Sequence, residues 1–205
     1  MILLLATGNA GKVREYRTLL GGLDVELHSL ADVPDAPALE EKGSTYLDNA
    51  RTKARTLSAH AGLPALADDS GLEVEALGGG PGVRSARFAA DAMGRSGPSD
   101  DRANVAFLLG RMRKTPDGRR GARFRCVIVV ARPDGAELIA DAACEGCITQ
   151  EPRGAAGFGY DPVFLYPPLD RTFAELSATE KDCVSHRAQA VAQLRDRLVE
   201  FLTRR

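Results

Sequence analysis

The 205-residue chain carries no excess of either charge: 27 Lys and Arg stand against 28 Asp and Glu, a formal net charge of −1. The broad positive field that steers duplex DNA or RNA is therefore missing, and any bound anion must be held locally by a few placed groups. No apolar run approaches the ~20 residues of a membrane span. Met1 to Ala6 lacks the basic flank and the length of a secretory signal. Cysteine is scarce. The four residues (Cys126, Cys144, Cys147, Cys183) are few for a disulfide scaffold and fit a reducing compartment. The expectation is a cytoplasmic protein that meets neither nucleic acid nor membrane. Cys144 and Cys147 form a single C-x-x-C. A structural zinc site wants four ligands, and no second C-x-x-C or His pair follows. Two small residues near a strand end and a half metal site or redox pair are both open readings.

What is present is an ordinary globular composition, 44% hydrophobic and 27% charged. At this length roughly 70% of the unfolded surface can be buried. Met1 to Ala6 reads as a short buried strand and Val13 to Leu20 as a helix stopped by Gly21-Gly22. Val25 to Leu30 alternates as a strand. Tyr46 to Ala61 is a helix, with Leu47, Ala50, Ala54, Leu57 and Ala61 on one face, a Ser44 or Thr45 cap, and Gly62 after it. Pro64 to Ala67 is a second buried strand that runs into "DDSG". Gly78 to Gly82 and Gly94 to Pro98 are loops. Asp100 to Met112 is a helix with Ala103, Ala106 or Phe107, and Gly110 on one side. Phe124 to Ala131, the "RPDG" turn and Glu137 to Cys144 make a hairpin. A glycine-rich loop follows, and Val184 to Leu202 closes the chain as a helix. Alternating strands and helices with a late hairpin predict one α/β domain over residues 1–205, with a mixed sheet.

Four polar clusters border apolar structure. "TGNAGK" (Thr7, Gly8, Asn9, Ala10, Gly11, Lys12) follows a strand and precedes a helix. It is neither a Walker A loop nor G-x-G-x-x-G. An ordinary turn fits it, and so does a phosphate loop of backbone N–H groups with a lysine. In "LEEKGSTYLDNARTKA", Glu40 and Glu41 precede a helix on which Asn49 and Lys53 lie one turn apart. This is either a solvated face or a loop carboxylate for Mg²⁺. "ALADDSG" sets two carboxylates side by side, costly if both ionise in proximity. A metal would relieve that, and one carboxylate would orient or deprotonate a water; a polar strand end is the plain alternative. Finally, "GFGYDP" places Phe158 and Tyr160 in a flexible context suited to a flat ring. "EKDCVSHR" offers donors from Lys181, His186 and Arg187, and donors aimed at O6 select a 6-keto over a 6-amino purine. A basic pair at a helix start is the alternative for His186-Arg187, though the helix dipole disfavours it.

Taken together, "LLATGNAGKVRE", "TYLDNARTKA", "LPALADDSGLEVEALGGGPGVRSARF", "RFRCVIVV", "GFGYDPVF" and "EKDCVSHRAQA" resemble, in order over nearly the whole chain, the non-canonical purine nucleoside triphosphate pyrophosphatases (inosine triphosphate or XTP/dITP diphosphatases). The resemblance implies an elongated mixed β-sheet flanked by helices, two lobes with a central substrate cleft, and a homodimer. It implies Mg²⁺-assisted hydrolysis of ITP, dITP or XTP to the monophosphate and pyrophosphate, cleansing the nucleotide pool. Thr7 to Lys12 would hold the triphosphate, with Lys53 and Ser70. Asp69 would be general base and, with Glu41, metal ligand. Phe158, Gly159, Tyr160 and Asp161 would form the base loop, and Lys181, His186 and Arg187 the purine-reading donors. Two positions depart from the pattern: Asp48 stands where glutamate is usual, and Lys42 sits beside Glu41. The Cys144/Cys147 pair lies outside it. A non-catalytic nucleotide sensor and a pyrophosphatase for other modified nucleotides are the rival readings.

Overall fold

Strand β1 (Ile2–Leu5) is apolar at every position because both of its faces are covered. Alternation sends Leu3 and Leu5 to one side and Leu4 and Ala6 to the other. These coordinates are a computed structural model describing residues 1–97 and 100–203. Helix α1 (Ala10–Leu19) starts three residues earlier than expected, because the Asn9 carboxamide accepts the Lys12 N–H at 3.1 Å and caps it. Gly11 and Lys12 therefore belong to the first turn of a helix rather than to a loop. β2 (Glu26–Ser29) follows. α2 (Tyr46–Ala61) has the expected bounds. The Thr45 hydroxyl accepts the Asp48 N–H at 3.1 Å, and Gly62 ends the helix in the left-handed region, φ 65°.

β3 (Ala65–Val74) corrects the sequence expectation. The strand does not stop at "DDSG" but runs through it, with Asp68 and Asp69 both buried. After α3 (Phe88–Ala92) comes α4 (Asp101–Arg111), whose buried face is Asn104, Val105 and Leu108; Ala106 and Gly110 are exposed, contrary to the expected face. The apolar pattern misleads there because Asn104 is a polar core residue, its carboxamide accepting the Ala89 N–H at 2.9 Å. Pro98, the end of the second expected loop, lies outside the described residues. β4 (Gly121–Ala131) and β5 (Glu137–Ile148) are adjacent strands joined by the expected turn, where the Gly135 N–H donates to the Arg132 carbonyl at 3.0 Å. β6 (Phe164–Tyr166) and β7 (Arg171–Thr172) are too short for alternation to announce them. The expected terminal helix is α6 (His186–Thr203), and an unexpected short helix, α5 (Ala178–Val184), precedes it across the extended Ser185. α5 starts on a capping box in which the Ser177 hydroxyl accepts the Glu180 N–H and Glu180 accepts the Ser177 N–H.

The sheet order is β2-β1-β3-β4-β5-β6-β7. β1 pairs parallel with β2 (Ile2 opposite Glu26) and with β3 (Leu4 opposite Ala65), whereas β5/β6 and β6/β7 are antiparallel. The sheet is thus mixed, as expected. The chain divides into two compact units. The first comprises Met1–Asp69, Cys126–Ala142 and the segment from His186 onward. In it, one face of the strands packs α1 and α6 through Tyr16, Leu20, Val191 and Leu194, and the other packs α2 through Ala50, Ala54 and Leu57. The second comprises Ser70–Arg125 and Ala143–Ser185. Its core centres on Phe124, Phe164 and Phe173, with ring centroids 4.5 to 5.8 Å apart.

Candidate functional site

The pleat of β3 explains how two adjacent carboxylates are tolerated. Successive side chains leave a strand on opposite faces. Asp68 meets Lys12 of α1 (Nζ to Oδ2, 2.9 Å) and Arg187 of α6 (3.2 Å). Asp69 meets α2, where the Asn49 carboxamide donates to its Oδ2 at 2.8 Å. The repulsion expected of neighbouring aspartates is thus met by separate partners on the two sides of the sheet.

Asp68 organises three cations. Its carboxylate holds Lys12 and Arg187, and its backbone carbonyl accepts the Lys53 ammonium at 2.6 Å. Burial alone would raise its pKa, but Lys12, Arg187 and Lys53 overcome that and hold it well below the usual carboxylate range. Arg187 is 1% exposed and also pairs with Glu15. Its guanidinium lies between two carboxylates, Asp68 and Glu15. His186 is buried at the start of α6.

On the other face, Lys53 is 5% exposed and also bonds Glu41 Oε1 at 2.6 Å. Burial disfavours its charge, yet Asp68, Glu41 and Asp69 outweigh the penalty and raise its pKa. Asp69 is raised instead: burial dominates over the opposing pull of Lys53 and Asn49. These donors fit Mg²⁺, which takes one or two carboxylates together with phosphate and water. Glu41 and Asp69 act on one ammonium, and Asp69 Oδ1 carries no hydrogen bond among the described residues. The Lys42 ammonium is turned to Glu40 at 2.8 Å.

Lys12 and the first N–H groups of α1 lie at the end of β1, beside Thr7, whose hydroxyl accepts the Asn9 N–H at 3.2 Å. Nothing lies within 4 Å of where a Cβ on Gly8 would project. Open space and a lysine at the start of a ten-residue helix are features that suit an anion.

The second unit builds a different group. The Asp161 carboxylate accepts the Phe158 N–H at 2.9 Å and the Lys181 ammonium at 2.5 Å, and that ammonium lies 4.8 Å from the Phe158 ring centroid. Gly157 has φ 77°, and a Cβ there would come 2.0 Å from Asp161 Oδ2. The Gly159 N–H donates to Asp101 at 2.7 Å, and the Tyr160 hydroxyl to the Ser85 carbonyl at 2.8 Å. The loop is thus tied at each residue from 158 to 161. Ser70 is half-buried on β3 next to Asp69. Glu15 and Asp101 carry no signal in the sequence, whereas Asp68 and Asn49 stand in the clusters "ALADDSG" and "TYLDNARTKA" with no role fixed by their type. Cys144 and Cys147 both lie on β5, three residues apart and so on opposite faces, and both thiols are free. Two small strand residues is the reading they fit.

The architecture defines an α/β protein with a mixed sheet, a capped helix start that carries Lys12, and two buried carboxylates sent to opposite faces of one strand. The chain belongs to the Ham1 family, whose model matches residues 3–197. It is 46% identical over 202 residues to a dITP/XTP pyrophosphatase of Exiguobacterium sibiricum, covering 98% of this chain and 99% of the relative. Among solved structures it is similar to a HAM1 protein from Coxiella burnetii (TM-score 0.85, 40% identity, 98% and 99% covered). It is also similar to a nucleoside-triphosphatase / dITP/XTP pyrophosphatase from Mycobacterium abscessus (TM-score 0.74, 44% identity, 95% and 98% covered).

Proposed function

We propose that this chain hydrolyses non-canonical purine nucleoside triphosphates, ITP, dITP and XTP, to the monophosphate and pyrophosphate, with residues 1–205 working as one domain. The observation that carries the proposal is the pair on β3: Asp68 is fixed by Lys12 through its carboxylate and by Lys53 through its carbonyl, while Asp69, on the face of Lys53, has Oδ2 held by Asn49 and no hydrogen bond to Oδ1 among the described residues.

Thr7 to Lys12 receive the phosphates on the α1 amides, and Lys12 and Lys53 neutralise their charge. Ser70 adds a donor. Glu41 and Asp69 would hold Mg²⁺, which supplies further neutralisation of the phosphate oxygens. Asp69 accepts the proton of the attacking water. Phe158 stacks on the base, with Gly159 to Asp161 shaping its loop. Lys181 and His186 donate to the purine edge, selecting a 6-keto group. Arg187, which also holds Asp68, donates to the same edge. A homodimer in the cytoplasm completes the reading; among the described residues no helix is long and apolar enough to cross a membrane.

Pyrophosphate release is measured with Mg²⁺ across ITP, XTP, dUTP, ATP and GTP. Turnover of ITP and XTP well above ATP and GTP is expected. Binding of ITP without release would leave a sensor, and preference for dUTP would point to a different nucleotide pyrophosphatase.

A further inference from the structure

Asn49 is 1% exposed on α2, and its two ends bond to different parts of the site. Its Nδ2 donates to Asp69 Oδ2 at 2.8 Å, and its Oδ1 accepts the Gly43 N–H at 2.7 Å. Chemistry fixes this orientation, since a carboxylate needs the NH₂ and a backbone N–H needs the carbonyl oxygen. Gly43 lies two residues beyond Glu41. A Cβ on Gly43 would fall 2.8 Å from Asn49 Oδ1 and 2.8 Å from Asp48 Cβ, so the loop is seated against the amide with no space between.

The geometry points to Asn49 as a positioning residue that couples the general base to the loop carrying Glu41. The amide fixes the rotation of the Asp69 carboxylate, keeping Oδ1 toward the water. Through Gly43 it pins the loop at a set distance from the same carboxylate. This rests on Asp69 acting as the base, as proposed above. A side chain that only filled the core would need one partner, not two on separate elements.

Two variants separate the functions. Asn49→Asp keeps an acceptor for Gly43 and removes the donor to Asp69; Asn49→Ala removes both and adds no charge. Both are measured for ITP turnover, melting temperature and hydrogen exchange of the Gly43 amide. In Asn49→Asp, kcat falls about 10–100-fold, while KM and Gly43 protection stay near wild type. In Asn49→Ala, kcat falls similarly and Gly43 protection is lost, so charge repulsion is not the cause. Wild-type kcat in either variant, or unchanged Gly43 exchange in Asn49→Ala, overturns the inference. If Asn49→Asp does not fold, Asn49→Ala decides both halves by the same two readouts. A wild-type protein that releases no pyrophosphate from ITP or XTP would instead sink the proposed function, with Gly43 exchange still reporting on the loop.

Discussion

Replacing Asp68 by asparagine keeps the shape of the side chain and removes one negative charge from under two cations. The Asp68 carboxylate is fully buried, the Arg187 side chain is 1% exposed and that of Lys12 14%. Lys12 has a route to water, whereas Arg187 is buried and retains Glu15. Removing one partner of a buried pair typically costs about 3–5 kcal/mol. With Glu15 retained, a loss of about 3 kcal/mol is expected, a large part of a total stability of about 5–15 kcal/mol. Urea unfolding in metal-free buffer measures it as a lower midpoint at unchanged slope. The pH dependence has a definite sign. Burial would raise the Asp68 pKa, but Lys12, Arg187 and Lys53 depress it below its unfolded value of about 3.9. Its contribution is therefore complete above that unfolded value and fades as pH falls toward the folded pKa. The gap between wild type and variant stays flat from about pH 8 to 5 and narrows below about pH 4. A gap under ~1 kcal/mol at neutral pH, within the range of exposed pairs, or one that persists unchanged at strong acid, refutes the reasoning.

Asp69→Asn lowers kcat about 10²–10⁴-fold at a near wild-type melting temperature; wild-type turnover rejects the base assignment. Lys181→Met removes a donor and one partner of Asp161, so discrimination of ITP over ATP drops by about 1–3 kcal/mol in competitive kcat/KM measurements. An unchanged ratio would show that Lys181 does not read the ring. Burial pushes both Cys126 and Cys144 up to about 12, and Cys183 is exposed. Brief alkylation of the native protein followed by peptide mass spectrometry should mark Cys183 and spare Cys126 and Cys144; rapid labelling of Cys126 would contradict its burial.

Local rules succeeded where local physics decides. α2 was legible to the residue because its cap, apolar stripe and terminal glycine agree. The stop expected after Ala67 failed because a stretch with two aspartates and a glycine reads as a strand end unless the partners of each carboxylate are known. Those partners come from α1, α2 and α6, up to 119 residues away along the chain. The same distance hides the role of Arg187: beside His186 it reads as half of a basic pair, and only the fold delivers Asp68 and Glu15 to it. α5 escaped notice because it is seven residues long, too short for a periodic signal. In the candidate site, residue types revealed the groups with charge to offer; the neutral Asn49, whose value is its two hydrogen bonds, carried no such mark.

Because β3 assigns its two aspartates to opposite sides by parity alone, the chemistry depends on counting as much as on composition. Insertion or deletion of one residue upstream within this strand would exchange the surroundings of the two carboxylates, sending the proposed proton acceptor among the salt bridges and the anchor to the face of Asn49. Single-residue length changes there should be tolerated far less well than conservative replacements of either neighbour.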